Sequence, residues 1–111
     1  MTRREKIEAM LVDEPQDVFL RYSLALELEK EGDHERSLAG LEALTRNETP
    51  YVPAFFMAAQ QLARLGRIAE SRALLRGGIE SARQQGDAHA ASEMSEFLAS
   101  LGSAGEISSG S

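Results

Sequence analysis

Apolar side chains recur along most of this chain at the three- and four-residue spacing that is typical of amphipathic helices. Ile7, Met10 and Leu11 follow this spacing and predict a short first helix over residues 3–12. The same pattern predicts five more helices, and their apolar faces include Leu24, Leu38, Phe55, Leu75 and Leu98. We therefore expect an all-α protein of about six helices.

Turn and capping residues separate the predicted helices. Gly32 and Gly66 each follow an apolar stripe, in the position where glycine commonly ends a helix. Such short turns predict that successive helices run antiparallel. Asp17 is a predicted N-cap, and Thr49-Pro50 predicts a helix start, with a capping hydroxyl followed by proline at the first helical position.

The two glycine turns are 34 residues apart, and the segments around them match at that offset. The matched pairs are Ala25 with Ala59, Leu28 with Leu62, Ser37 with Ser71, and Leu41 with Leu75. A 34-residue period of helix, turn and helix resembles the tetratricopeptide repeat (TPR) family. The opening letters of the family motif, W-x2-L-G-x2-Y, fall on Arg21, Leu24, Ala25 and Leu28, and then on Phe55, Ala58, Ala59 and Leu62. Another array of antiparallel helical hairpins remains the alternative.

The resemblance implies a right-handed α-solenoid of antiparallel helix pairs. It places one helical-repeat domain at residues 1–101, with repeats at about 18–51 and 52–85 and half repeats at 3–15 and 87–101. Residues 102–111 are rich in glycine and serine, and we expect them to form a disordered tail.

Gly77 and Gly78 fall in the middle of the predicted fifth helix, where two glycines together lower helix stability by about 2 kcal/mol relative to alanine. Two interpretations are open. The glycines allow a neighbouring helix to approach closely, which is the interpretation we favour, or they form a bend or hinge.

Composition narrows the classes of function. The 111 residues carry a formal net charge of −6, which argues against nucleic-acid binding because phosphate contacts need a basic surface. The chain has no cysteine, which excludes disulfides, thiolate zinc sites and cysteine nucleophiles. No apolar run is long enough to span a membrane. We expect a cytoplasmic protein, and the sequence leaves open whether it is a whole protein or a piece of one.

Residues that could support chemistry are few. His34 and His89 are far apart, and neither has a second histidine at helical spacing. No nucleophile motif or phosphate-binding glycine loop is present. We therefore predict no enzyme activity, no metal and no cofactor. Arg72, Arg76 and Arg83 form a basic stripe that is either a solvated helix face, which we favour, or a docking surface for an acidic partner.

The family resemblance implies a protein–protein interaction module, or adaptor, that binds a peptide or helix in a concave groove. The implied groove residues are Phe19, Tyr22, Leu26, Glu29, Phe56, Gln60, Arg64 and His89, joined by Pro53, Ser92 and Glu96. One subclass of the family clamps acidic C-terminal tails with Lys, Asn and Arg, but the corresponding places here hold Tyr22, Leu26, Met57, His89 and Glu93. We therefore expect an apolar or amphipathic protein segment as partner, with no nucleic acid and no membrane. The alternative is a homo-oligomerising structural module.

Overall fold

The computed structural model describes residues 1–102 in full and, for residues 103–110, only the course of the helix. Across the described residues there are six α-helices and no strands, so the all-α prediction is confirmed. The helices are α1 (Arg3–Asp13), α2 (Val18–Lys30), α3 (His34–Thr45), α4 (Val52–Arg64), α5 (Ile68–Gln84) and α6 (Ala88–Gly110). None of the helices in this part of the chain is both long and apolar enough to cross a membrane.

Glycine closes α2, α4 and α5 in the same way. Gly32, Gly66 and Gly86 have backbone φ angles of +84°, +80° and +76°, a region that favours glycine because it has no Cβ. After Gly32, the N–H of Asp33 donates to the carbonyl of Leu28 at 2.9 Å, and the other two turns repeat this bond. The predicted glycine turns are therefore confirmed.

Capping side chains fix the starts of several helices. The Asp17 carboxylate accepts a hydrogen bond from the backbone N–H of Leu20 at 2.9 Å, as predicted. At the start of α1, Thr2 and Glu5 form a capping box. The Thr2 hydroxyl accepts a hydrogen bond from the backbone N–H of Glu5, and the Glu5 carboxylate accepts one from the backbone N–H of Thr2. Each cap satisfies N–H groups that have no partner within the helix.

The predicted start of α4 at Thr49-Pro50 is wrong, because the helix begins at Val52. The backbone N–H of Tyr51 donates to the carbonyl of Leu44 at 3.0 Å and keeps the chain folded back on the end of α3. Capping and proline preferences are local, and here a bond between residues seven apart overrides them.

The chain divides into two compact units at Ala54, within the first turn of α4. In the first unit, α1 packs on α2 and α2 packs on α3. Its buried apolar side chains are Ile7, Ala25, Leu28, Leu38, Leu41, Leu44, Val52 and Ala54. Two ion pairs join α1 to the end of α2, from Arg3 to Glu27 and from Arg4 to Glu31, the C-cap residue of α2, each at 2.8 Å.

The second unit begins at Phe55 and holds the rest of α4 with α5 and α6. Its buried apolar side chains are Phe55, Ala58, Ala59, Leu62, Leu75, Ile79, Ala82, Ala91, Met94 and Leu101. A Cβ placed on Gly78 would lie 2.6 Å from the Met94 sulfur and 2.7 Å from the Phe55 Cβ. Gly78 therefore lets α5 approach α4 and α6 closely, and α5 is one continuous helix, so the favoured interpretation of the glycine pair is confirmed.

Each unit contains the same buried hydrogen bond. The hydroxyl of Ser37 donates to the carbonyl of Ala25 at 2.6 Å, and the hydroxyl of Ser71 donates to the carbonyl of Ala59 at 2.7 Å. All four residues are almost completely buried. The 34-residue match in the sequence thus corresponds to the same contact in two helix pairs, between α2 and α3 and between α4 and α5.

The disordered tail predicted for residues 102–111 falls almost wholly on residues that the structure does not describe in full, and it stays a prediction. The predicted boundaries of the repeats and half repeats also stay predictions.

Candidate functional site

The predicted groove residues of the first unit lie along α2 at positions 19, 22, 26 and 29, a spacing that puts them on one face of the helix. Phe19 is 68% exposed, whereas Tyr22 and Leu26 are partly buried. Glu29 is also partly buried. One of its carboxylate oxygens lies 2.7 Å from the Nδ1 atom of His34, and this contact joins the end of α2 to the start of α3.

Tyr22 packs against Tyr51 within the same unit. The two ring centroids are 5.3 Å apart and the ring planes meet at 68°, an edge-to-face contact. Partial burial raises the pKa of the Tyr22 hydroxyl above its usual value, and the neighbouring Tyr51 adds to the rise. Tyr22 is therefore neutral at physiological pH.

Phe19 belongs to a cleft between α1 and α2, which we call the α1/α2 cleft. Its volume is about 260 Å³, and its lining is Arg3, Lys6, Ile7, Met10, Phe19, Leu20 and Ser23. Met10 is 48% exposed, so two large apolar side chains face solvent here. The structure thus brings Phe19 together with residues of α1 that were not predicted as site residues.

In the second unit, Phe56, Gln60 and Arg64 follow one another at four-residue spacing along α4. The ring of Phe56 meets the ring of Phe97 from α6, with centroids 5.8 Å apart and planes tilted by 58°. Gln60 and Arg64 line an open depression of about 500 Å³ together with Ala63, Phe97 and Leu101. We call the surface formed by Phe56, Gln60, Ala63, Arg64, Phe97 and Leu101 the α4/α6 patch.

A second depression of about 330 Å³ adjoins the ring pair, and its lining is Phe56, Phe97, Glu93 and Glu96. We call it the acidic pocket. His89, another predicted groove residue, lines neither depression. Its Nε2 atom lies 3.0 Å from a carboxylate oxygen of Glu93, one helical turn away, and its side chain is 86% exposed.

Phe97 lines both depressions, yet it is not among the predicted groove residues. The groove residues predicted on the last helix are His89, Ser92 and Glu96. A signal was available, because Phe97 lies four residues from both Glu93 and Leu101 and so shares a helix face with them. What the sequence does not contain is the pairing of this ring with Phe56 from another helix.

The basic stripe predicted on α5 is not uniform. Arg72 is partly buried, and its guanidinium donates to the backbone carbonyl of Leu101 at 3.0 Å. It therefore ties α5 to α6, while Arg76 and Arg83 are exposed. Within the described residues there is no group of three or more His, Asp or Glu side chains that could hold a metal ion.

Among the solved structures similar to this chain is a solution NMR structure of a tetratricopeptide repeat domain protein from Salinibacter ruber. It shares 31% sequence identity with a TM-score of 0.74, over 78% of this chain and 88% of that chain. A crystal structure of a tetratricopeptide repeat domain protein from the same organism shares 30% identity with a TM-score of 0.72, over 79% and 98% of the two chains.

A solution structure of a protein from Bordetella parapertussis has a TM-score of 0.80 over 96% of this chain and 93% of that chain. Its identity is 23%, so the likeness concerns the fold alone. No protein-family model matches the sequence, and no curated protein matches it either.

Proposed function

Since this chain belongs to the tetratricopeptide repeat family, we propose that it is a non-catalytic module that binds a partner protein at the α4/α6 patch. Domains of this fold generally mediate protein–protein interactions, and the family is generally non-catalytic. The observation that carries the proposal is the ring pair of Phe56 and Phe97 at the edge of an open depression.

The chemistry of the patch favours an apolar or amphipathic segment. Both rings are only partly buried, so an apolar partner side chain would remove further aromatic surface from water. Gln60 lies between Phe56 and Arg64 on α4, where its amide can hydrogen-bond to the partner's backbone. A few aromatic anchors with polar groups beside them are the usual composition of a binding hot spot.

The other predicted site residues remain part of the proposal. Phe19, Tyr22, Leu26 and Glu29 share one face of α2, and none of them is fully buried, which supports a contact role. His89 lies one turn from Glu93 and is exposed enough to meet a partner.

A second candidate function is self-association through the α1/α2 cleft. The exposed side chains of Phe19 and Met10 favour it, because large apolar groups on the surface gain stability when another protein covers them. In this case the partner would be a second copy of the chain.

Site-specific photo-cross-linking tests the proposal and separates the two candidates. Gln60 is replaced by p-benzoylphenylalanine in the protein expressed in its own cells, with the same replacement at Phe19 and, as a control, at the exposed Glu70 on α5. We expect a different protein to be cross-linked from position 60 and none from position 70. Cross-linking only from position 19 would contradict the proposal, and a dimer of the chain cross-linked at position 19 would favour self-association.

A further inference from the structure

The acidic pocket combines two aromatic rings with two carboxylates and has no basic residue in its lining. Phe56 and Phe97 supply the rings, and Glu93 and Glu96 supply the carboxylates. The pocket adjoins the α4/α6 patch through the ring pair that both surfaces share. An apolar occupant would fit the rings but would leave the carboxylates without a counter-charge.

The charge of this pocket is not balanced by a neighbouring lysine or arginine. Glu93 lies close to His89, which is mostly exposed, and Glu96 makes no ion pair among residues 1–102. Arg64 lines the other depression, together with Gln60 and Ala63. The formal net charge of the chain, −6, favours the approach of cationic groups over anionic ones.

Aromatic faces and carboxylates attract the same kind of group. A guanidinium or ammonium group placed over an aromatic face is drawn to the negative face of the ring, and a carboxylate beside the ring strengthens the attraction. Arginine suits such a site best, because its flat guanidinium can stack on a ring and donate hydrogen bonds to a carboxylate at the same time.

From this geometry we propose that the acidic pocket receives an arginine or lysine side chain of the partner while the adjoining α4/α6 patch holds an apolar side chain next to it. The inference rests on the proposed function and names the chemistry of its partner: an amphipathic segment in which a basic residue neighbours apolar ones.

The test is an NMR titration of the ¹⁵N-labelled protein with three capped peptides that differ only at the central position. They are acetyl-Leu-Arg-Leu-amide, acetyl-Leu-Gln-Leu-amide and acetyl-Leu-Glu-Leu-amide. We expect the arginine peptide to bind at least about fivefold more tightly than the glutamine peptide and to shift the resonances of Glu93, Glu96 and Phe97. In about 1 M salt, where the screening length falls to about 3 Å, this preference should shrink.

A double variant, Glu93→Gln with Glu96→Gln, removes both charges from the exposed surface of α6 and should abolish the preference. The matched control is Glu14→Gln with Glu35→Gln, which changes the net charge equally at exposed positions of the first unit and should keep the preference.

Equal binding of the arginine and glutamine peptides, no binding of any peptide, or an unchanged preference in the α6 double variant would overturn the inference. If the cross-link from position 60 to a partner persists in these cases, the proposed function stands and only the basic chemistry of the partner is wrong. If that cross-link is absent as well, both fail.

Discussion

Ser37 and Ser71 show how one buried hydroxyl can join two helices. Each hydroxyl donates to the carbonyl of an alanine twelve residues earlier, and both serines are completely buried. The sequence match at 34-residue offset predicts that both positions hold small residues at a helix contact. It does not predict the bond, since a sequence match does not show which group a hydroxyl contacts.

We predict that Ser37→Ala and Ser71→Ala each lower the free energy of unfolding by about 1 kcal/mol, because each removes one buried hydrogen bond. Ser92→Ala is the control. It makes the same change in helix propensity at an exposed position of α6 and should alter stability by less than about 0.5 kcal/mol. Urea denaturation measures all three, and an equal loss in the Ser92 variant would contradict the role of the buried bonds.

Phe97 marks the limit of residue-level prediction for the site. The four-residue spacing of Phe56, Gln60 and Arg64 is visible in the sequence, and the structure places these three residues around two adjoining depressions. Their aromatic neighbour comes from α6, about forty residues later in the chain. Helical periodicity says which residues share a face, but not which faces meet.

At the scale of the helices, local signals predict most boundaries and long-range contacts decide the rest. Gly32 and Gly66 end their helices as predicted, and Gly86 ends α5 in the same way, because the left-handed backbone at a helix end suits glycine best. The start of α4 is the exception. The backbone N–H of Tyr51 donates to the carbonyl of Leu44 near the end of α3. Local capping and proline patterns do not predict this hydrogen bond between residues seven apart.

The crossing at Gly78 gives the sharpest prediction at this scale. Gly78→Ala should lower the free energy of unfolding by about 1–3 kcal/mol, because the new methyl group would overlap the Cβ of Phe55 and the sulfur of Met94. Gly40→Ala makes the same change within α3, where the nearest neighbouring atom is the Ala25 Cβ at an ordinary 3.7 Å.

The Gly40 variant should therefore be more stable than the wild type by up to about 1 kcal/mol, since alanine favours the helix. Thermal and urea unfolding measure both variants. If Gly78→Ala were as stable as the wild type, this would contradict the claim that Gly78 allows α5 to pack closely against α4 and α6.

For the whole molecule, the sequence predicts the fold class, the family and candidate residues of a binding surface, but not which of these residues come together. The 34-residue period and the helix pattern are properties of the chain itself, and solved structures with 31% and 30% identity bear out the family. The proposed binding surface depends on which partly exposed side chains come together. Among the residues predicted for it, Gln60 and Arg64 lie beside Phe97 of α6. Phe19 instead lies beside residues of α1.

The most direct test of the α4/α6 patch is the affinity of the cross-linked partner's segment for two matched variants, measured by titration calorimetry. Both Phe97→Ala and Met10→Ala remove one large, partly exposed apolar side chain, and circular dichroism confirms that each variant is folded. Our account predicts that Phe97→Ala weakens binding by at least about tenfold, or about 1.4 kcal/mol, and that Met10→Ala changes it by less than about twofold. An equal loss in both variants, or a loss confined to Met10→Ala, would contradict it.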